Sequence, residues 1–186
     1  MIDIAERQPW DRSRNLLLIG PGGAGKSTLG PLLAPLLKSR LADLDHEFEH
    51  RIGSIGAYIR NEGYGRYKLR NAALARRVAA TSSGLTLLVT SSGFLTPDNP
   101  PRALGANRLL LERWHAICLL PSRDLERAVA VILDRQARRP FTRDRDHEER
   151  TIRARYPVYA REGDLIVFSQ APPRDIARAI AHRLLG

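Results

Sequence analysis

Residues 20 to 27 read Gly20-Pro21-Gly22-Gly23-Ala24-Gly25-Lys26-Ser27, which satisfies G-x-x-x-x-G-K-[ST] at every fixed position. An apolar run, 15–19, precedes it and an amphipathic pattern follows, so the motif sits where a strand hands over to a helix. That context demands a phosphate-binding loop. Glycines let successive backbone N–H groups turn inward around anionic oxygens, and the helix N-terminus adds its positive dipole end. Gly22, Gly23, Ala24, Gly25, Lys26, Ser27 and Thr28 are therefore the expected nucleotide-binding residues. Lys26 is placed to reach the β- and γ-phosphates of ATP, and Ser27 to ligate Mg²⁺.

The rest of the chain alternates between two periodicities. Buried-strand runs are expected at 15–20, 41–44, 85–90, 115–120 and 165–168. Helices are expected at 26–37, 46–51, 55–61, 67–80, 103–113, 122–136, up to 156, and from 174. Strands with few polar interruptions, each followed by a helix, imply an α/β fold with a parallel sheet covered on both faces. Residues 138–147 are dense in charge and broken by Pro140, the pattern of a mobile loop. Residues 1–13 form a polar arm, expected to lack order unless it docks. The remaining 14–186 make one domain, a size that buries a core without staples.

Composition excludes several classes. The net charge is +10 over 186 residues, with 43% apolar and 27% charged positions. Only Lys26, Lys38 and Lys68 are lysines, so arginine supplies almost all the basic charge. The arginines are scattered over nearly every expected helix without interleaved aromatics, unlike a single-strand nucleic-acid binder. No specific nucleic acid is expected, although a positive field draws in anionic substrates. No signal-peptide pattern opens the chain and no apolar run spans a bilayer, so a cytoplasmic protein with no membrane partner is expected; a monomer is the working expectation, on which the sequence itself is silent. Cys118, the sole cysteine, lies in an apolar run and reads as a buried, inert thiol.

His46-Glu47-Phe48-Glu49-His50 spells H-E-x-x-H, a zinc-hydrolase pattern, and Gly53 extends it. The histidine that the longer pattern requires would fall at Gly56, and Glu62 is a possible third ligand only by its proximity in sequence. A solvated helix face following the second strand explains the residues better. Asp43-Leu44-Asp45, ending that strand, is more informative. Carboxylates two apart on a strand share a face, at the sheet's ligand-binding end. One can hold a Mg²⁺ water while the other orients or deprotonates an acceptor hydroxyl. A strand end capping the next helix is the competing explanation.

The ordered set of P-loop, D-x-D, Gly53-Ser54-Ile55 and Glu62-Gly63 resembles the shikimate kinase family. Thr90-Ser91-Ser92-Gly93 stands where that family has Ser or Thr and three glycines, Arg139-Pro140 where its lid arginine lies, and Arg155-Tyr156-Pro157-Val158-Tyr159 is similar to its R-x-P-L-Y segment. The likeness covers about residues 14 to 185. It implies a five-stranded parallel sheet in the order 2-3-1-4-5 and a lid at about 138–147. It further implies that Asp43 and Thr90 support the metal with Ser27, and that Asp45 is acceptor ligand and base. By the same resemblance Arg139 closes over the phosphates, Arg155 pairs with the acceptor's carboxylate, and Ser92 and Gly93 line its pocket. Lys26, Asp45 and Arg139 form the implied catalytic set. A closing cationic lid also makes chemical sense, because it excludes water and neutralises developing charge.

Departures gather in the acceptor pocket. Tyr67-Lys68 replaces the family's F-R, whose arginine binds the acceptor carboxylate; Lys68 is therefore an expected acceptor ligand, an ammonium that can pair a carboxylate but cannot offer the planar fork of a guanidinium. Asn71 stands where a glutamate orients that arginine, and Ser91 and Ser92 replace two glycines. The expected reaction is ATP-dependent phosphorylation of a small hydroxylated carboxylic acid, shikimate first, in aromatic amino acid biosynthesis. Alternatives are a kinase for another cyclic polyol or hydroxy acid, or a ligand-sensing domain without turnover.

Overall fold

A computed structural model describes residues 1–138 and 144–186. Its centre is a six-stranded sheet in the order β1-β6-β5-β2-β4-β3. The strands are β1 (Ile2–Glu6), β2 (Leu16–Ile19), β3 (Arg40–Asp43), β4 (Thr86–Val89), β5 (His115–Leu120) and β6 (Leu165–Ser169). The helices are α1 (Lys26–Leu36), α2 (Leu44–Arg51), α3 (Ile55–Glu62), α4 (Tyr64–Thr81), α5 (Pro101–Arg113), α6 (Leu125–Ala137), α7 (Arg145–Tyr159) and α8 (Pro173–Leu185).

Strand alternation divides the core. Leu17 and Ile19 of β2 join one apolar cluster with Phe48, Leu74 and Tyr159, on the α2, α4 and α7 side. Leu16 and Leu18 join the other, with Leu29 and Leu33 of α1 and Ile176 and Ile180 of α8. Both faces of the sheet are thus covered, which is why the central strands carry almost no polar residues. Cys118 is buried and unbridged. Its thiol donates to the Tyr159 carbonyl at 3.3 Å, and burial pushes its pKa up to about 12. Among the described residues, no helix is long and apolar enough to cross a membrane.

The five parallel strands follow the expected order, and three local expectations change. The arm is not disordered at its start: β1 pairs antiparallel with β6, from Ile2 opposite Ser169 to Glu6 opposite Leu165, making the sheet mixed. Ile2 and Ile4 pack on the α1–α8 cluster, and Arg7 donates to the Ala160 and Arg161 carbonyls. Alternating apolar residues in a short polar segment carried that signal. Second, β3 ends at Asp43 and α2 begins at Leu44, so Asp45 is helical and not on the strand. Third, α7 starts at Arg145, capped by the Asp144 carboxylate accepting from Asp146 N–H, inside the span expected as loop. Asp146 and Glu148 in its first turn suit the helix dipole.

Deleting residues 1–6 is expected to lower the melting temperature by roughly 5 °C or more while leaving nucleotide binding intact, because β1 lies at the sheet edge beyond β6. Thermal denaturation of the truncated chain, with nucleotide titration, checks both halves.

Candidate functional site

The carboxyl ends of β2, β3 and β4 deliver the P-loop, Asp43 and the Thr90–Gly93 turn to one end of the sheet. Gly20 leaves β2 at φ +145°, and a Cβ there would stand 2.5 Å from the Leu119 carbonyl oxygen of β5. No side chain fits so close to backbone. Gly25 caps α1 at φ 104°, which turns the helix N-terminus toward the loop. Ser27 and Thr28 are exposed in its first turn.

Lys26 is buried, and its Nζ donates to the carbonyls of Gly20 (2.7 Å) and Pro21 (3.0 Å). Burial lowers its pKa to about 8, against the upward pull of Asp45, Cys118 and Asp43. From α6, Arg135 Nη1 donates to the Gly23 (3.3 Å) and Ala24 (3.1 Å) carbonyls and so braces the loop from outside. Sequence reading missed Arg135. Its one available signal was its place four residues before the expected lid arginine.

Asp43 Oδ1 accepts from the N–H groups of Asp45 (3.0 Å) and His46 (3.4 Å), so the capping explanation holds for this carboxylate. Its Oδ2 has no protein partner among the described residues. Asp45 Oδ1 accepts from the Tyr67 hydroxyl at 3.4 Å. Burial and the neighbouring Asp43 raise the Asp45 carboxyl, with Lys26 and Tyr67 opposing. Burial also raises the Tyr67 phenol, aided by Asp45. A carboxyl lifted in this way, near a buried ammonium, is suited to accepting a proton.

Farther out, Arg155 Nη1 donates to Ser92 Oγ (3.0 Å) and Nη2 to the Tyr64 hydroxyl (3.1 Å). The Ser92 carbonyl accepts from the Tyr159 hydroxyl (3.0 Å). Lys68, expected as an acceptor ligand, instead places Nζ 2.6 Å from Asp98 Oδ2, and 4.6 Å from the Tyr64 ring centre. Ser91 Oγ donates to Asn71 Oδ1 at 3.1 Å. Two departures from the family pattern therefore meet as one hydrogen-bonded pair. Gly93 closes the turn, its carbonyl accepting from Asn99 Nδ2 at 2.7 Å. Tyr64 and Tyr67, stacked with centroids 5.7 Å apart, were not expected as site residues. Their signal is the i, i+3 spacing that puts both on one helix face.

Thr90 is buried, and its hydroxyl donates to the Leu18 carbonyl at 3.1 Å. Arg139, with the rest of 139–143, lies outside the described residues. The H-E-x-x-H residues fall on α2 with His46 and His50 exposed, Glu47 paired to Arg51 at 2.7 Å and Glu62 to Arg66 at 2.8 Å. Among the described residues no group of three or more His, Cys, Asp or Glu is placed to hold a metal. Mg²⁺ makes a smaller demand: one or two protein oxygens, with phosphate and water completing its shell. The exposed Ser27 hydroxyl and Asp43 Oδ2 fit that requirement.

Residues 22–185 match the family model described as shikimate kinase. The chain is 33% identical over 177 residues to a shikimate kinase of Pseudomonas entomophila, covering 92% of this chain and 96% of that one. It is 33% identical over 173 residues to one of Chromohalobacter salexigens, covering 90% of each. Among solved structures, the shikimate kinase of Acinetobacter baumannii in complex with shikimate superposes with a TM-score of 0.74 at 26% identity, covering 92% of this chain and 93% of that one.

Proposed function

Since the chain belongs to the shikimate kinase family, and is thereby a small-molecule kinase that uses a nucleotide, we propose that it phosphorylates a hydroxyl of shikimate with ATP and Mg²⁺. The observation that carries this reading is the placement of Arg155. Neutral hydroxyls from Ser92 and Tyr64 orient its guanidinium, and among the described residues no carboxylate pairs with it. A carboxylic acid bound there would find a fork of donors, with its ring extending toward Asp45.

In this reading the acceptor hydroxyl donates to Asp45, its oxygen attacks the γ-phosphorus, and the bond to the ADP oxygen breaks as the proton passes to Asp45. Lys26 leaves the Gly20 and Pro21 carbonyls for the β- and γ-phosphate oxygens, while loop N–H groups hold the chain of phosphates. Ser27 and Asp43 would hold Mg²⁺, which when bound neutralises charge on the β- and γ-phosphates. The test is an ADP-release assay against shikimate and a panel of cyclic polyols and hydroxy acids. ADP formation and a phosphate monoester with shikimate are expected. Turnover of another acceptor in its place would overturn the assignment.

The Lys26 environment also sets an alkaline limit. In the nucleotide-free enzyme its ammonium deprotonates at about 8, and kcat/KM reports free-enzyme groups. For ATP, kcat/KM is expected to fall above about pH 8 by roughly tenfold per unit. Bound phosphates favour the ammonium, so the corresponding limb of kcat lies higher. A rate profile from pH 6 to 10 measures both, and superimposable limbs would count against Lys26 as the phosphate ligand.

A further inference from the structure

The acceptor end contains two cations with opposite situations. The Lys68 side chain is only 4% exposed, whereas the Asp98 carboxylate paired with it is 61% exposed. Lys68 Nζ also donates to the Asp98 backbone carbonyl at 3.0 Å and lies over the Tyr64 ring. Its donors are thus directed at Asp98, and what the pair presents outward is a carboxylate. Arg155 donates to the neutral hydroxyls of Ser92 and Tyr64, and among the described residues no carboxylate is hydrogen-bonded to it. Tyr64 touches both cations, which puts the pair and Arg155 in one pocket wall.

The segment bearing Asp98 is held firmly. Asn99 Nδ2 donates to the carbonyls of Gly93 and Thr96, each at 2.7 Å, and Thr96 Oγ1 to the Gly93 carbonyl at 3.0 Å. Burial works upward on the Asp98 carboxyl, but Lys68, Thr96 and Arg155 outweigh it and hold the pKa below the usual range. The carboxylate is therefore charged at neutral pH. With Lys68 cancelled by Asp98, the net positive charge of the wall among the described residues is that of Arg155.

We propose that Asp98 is a specificity-determining residue of the acceptor pocket: it neutralises Lys68, leaves Arg155 to hold a single carboxylate, and restricts the acceptor to monoanionic hydroxy acids. This rests on the reading of the chain as a kinase for a carboxylic acid, and it removes Lys68 from direct contact with the acceptor. A second negative charge on the acceptor would face the exposed Asp98 carboxylate, with no free cation of that wall among the described residues to meet it.

The experiment compares wild type, Asp98→Asn, Lys68→Met and the double variant, measuring KM and kcat for shikimate at saturating ATP. Asp98→Asn frees the Lys68 charge and should lower KM by about 3- to 10-fold, with kcat little changed. Lys68→Met leaves Asp98 uncompensated beside the incoming carboxylate and should raise KM by a similar factor. The double variant should recover most of that loss. If it stays as impaired as Lys68→Met, Lys68 is itself the carboxylate ligand and the inference fails. A KM raised by Asp98→Asn fails it too, and this nearly isosteric variant decides alone should Lys68→Met not fold. Wild-type inactivity toward shikimate would sink the functional reading by itself. The same four-protein order is then measured on whichever hydroxy acid is phosphorylated, and an enzyme that phosphorylates no carboxylic acid overturns both.

Discussion

Lys26→Met is expected to cut phosphoryl transfer by roughly 10³-fold or more without lowering the melting temperature. The two halves of that result have one cause. Lys26 is buried among the Gly20 and Pro21 carbonyls, in a place that serves charge on a phosphate and costs the folded chain desolvation. Unfolded, a lysine keeps its proton to about pH 10.4; folded, this one keeps it only to about 8. Below 8 the fold therefore carries the full cost of the buried charge, and the cost fades as pH rises from 8 to 10.4. Methionine fills the volume and removes the penalty, so stability is held or raised while the group that meets the β- and γ-phosphates is lost. Steady-state kinetics beside a thermal melt at pH 7 reads both. Undiminished turnover would remove Lys26 from the mechanism, and a collapse of the melt would make its role structural.

That residue was legible in the sequence because its proposed role is encoded locally. Eight consecutive positions specify the loop, and the flanking apolar runs specify strand and helix. The parallel strand order was equally accessible, since buried strands alternating with helices leave few arrangements. What escaped was long-range or short in sequence. β1 is five residues, with each residue only partly buried, and its partner β6 lies more than 150 positions away. Within residues 1–13 only the Ile2–Ile4 alternation hints at a strand, and it names no partner.

The proposed acceptor pocket was half legible. Asp45, Ser92, Gly93 and Arg155 could be named from their order along the chain, and Lys68, Asn71 and Ser91 as departures. Their partners could not. Lys68 finds Asp98 from a turn thirty residues on, and Asn71 finds Ser91 twenty residues on. Residue type gave the charge of Lys68, and only the fold shows that this charge is already met. Arg135 was hidden for the same reason: an arginine on a helix face looks solvated until the helix is docked on the P-loop.

Asp45→Asn is expected to lower kcat by roughly 10²- to 10⁴-fold, with the KM for ATP nearly unchanged. The substitution keeps shape and leaves an amide oxygen to accept from Tyr67, so the loss isolates the proton acceptor. Position matters as much as charge: Asp45 lies in the first turn of α2, where Asp43 caps the helix and pushes the Asp45 carboxyl upward along with burial. Two further signatures separate a base from a structural carboxylate. The acidic limb of the kcat/KM profile, set by the raised Asp45 carboxyl, should vanish. The alkaline limb should move to lower pH, because Asp45 is the leading charge holding the Lys26 proton in place. Asp43→Asn supplies the control, since asparagine caps a helix about as well as aspartate; it should raise the Mg²⁺ concentration needed for activity without erasing the acidic limb. A loss of less than about tenfold in Asp45→Asn, or an acidic limb that survives it, would move the base elsewhere. Asp45 would then be left as a hydrogen-bond acceptor for the acceptor hydroxyl.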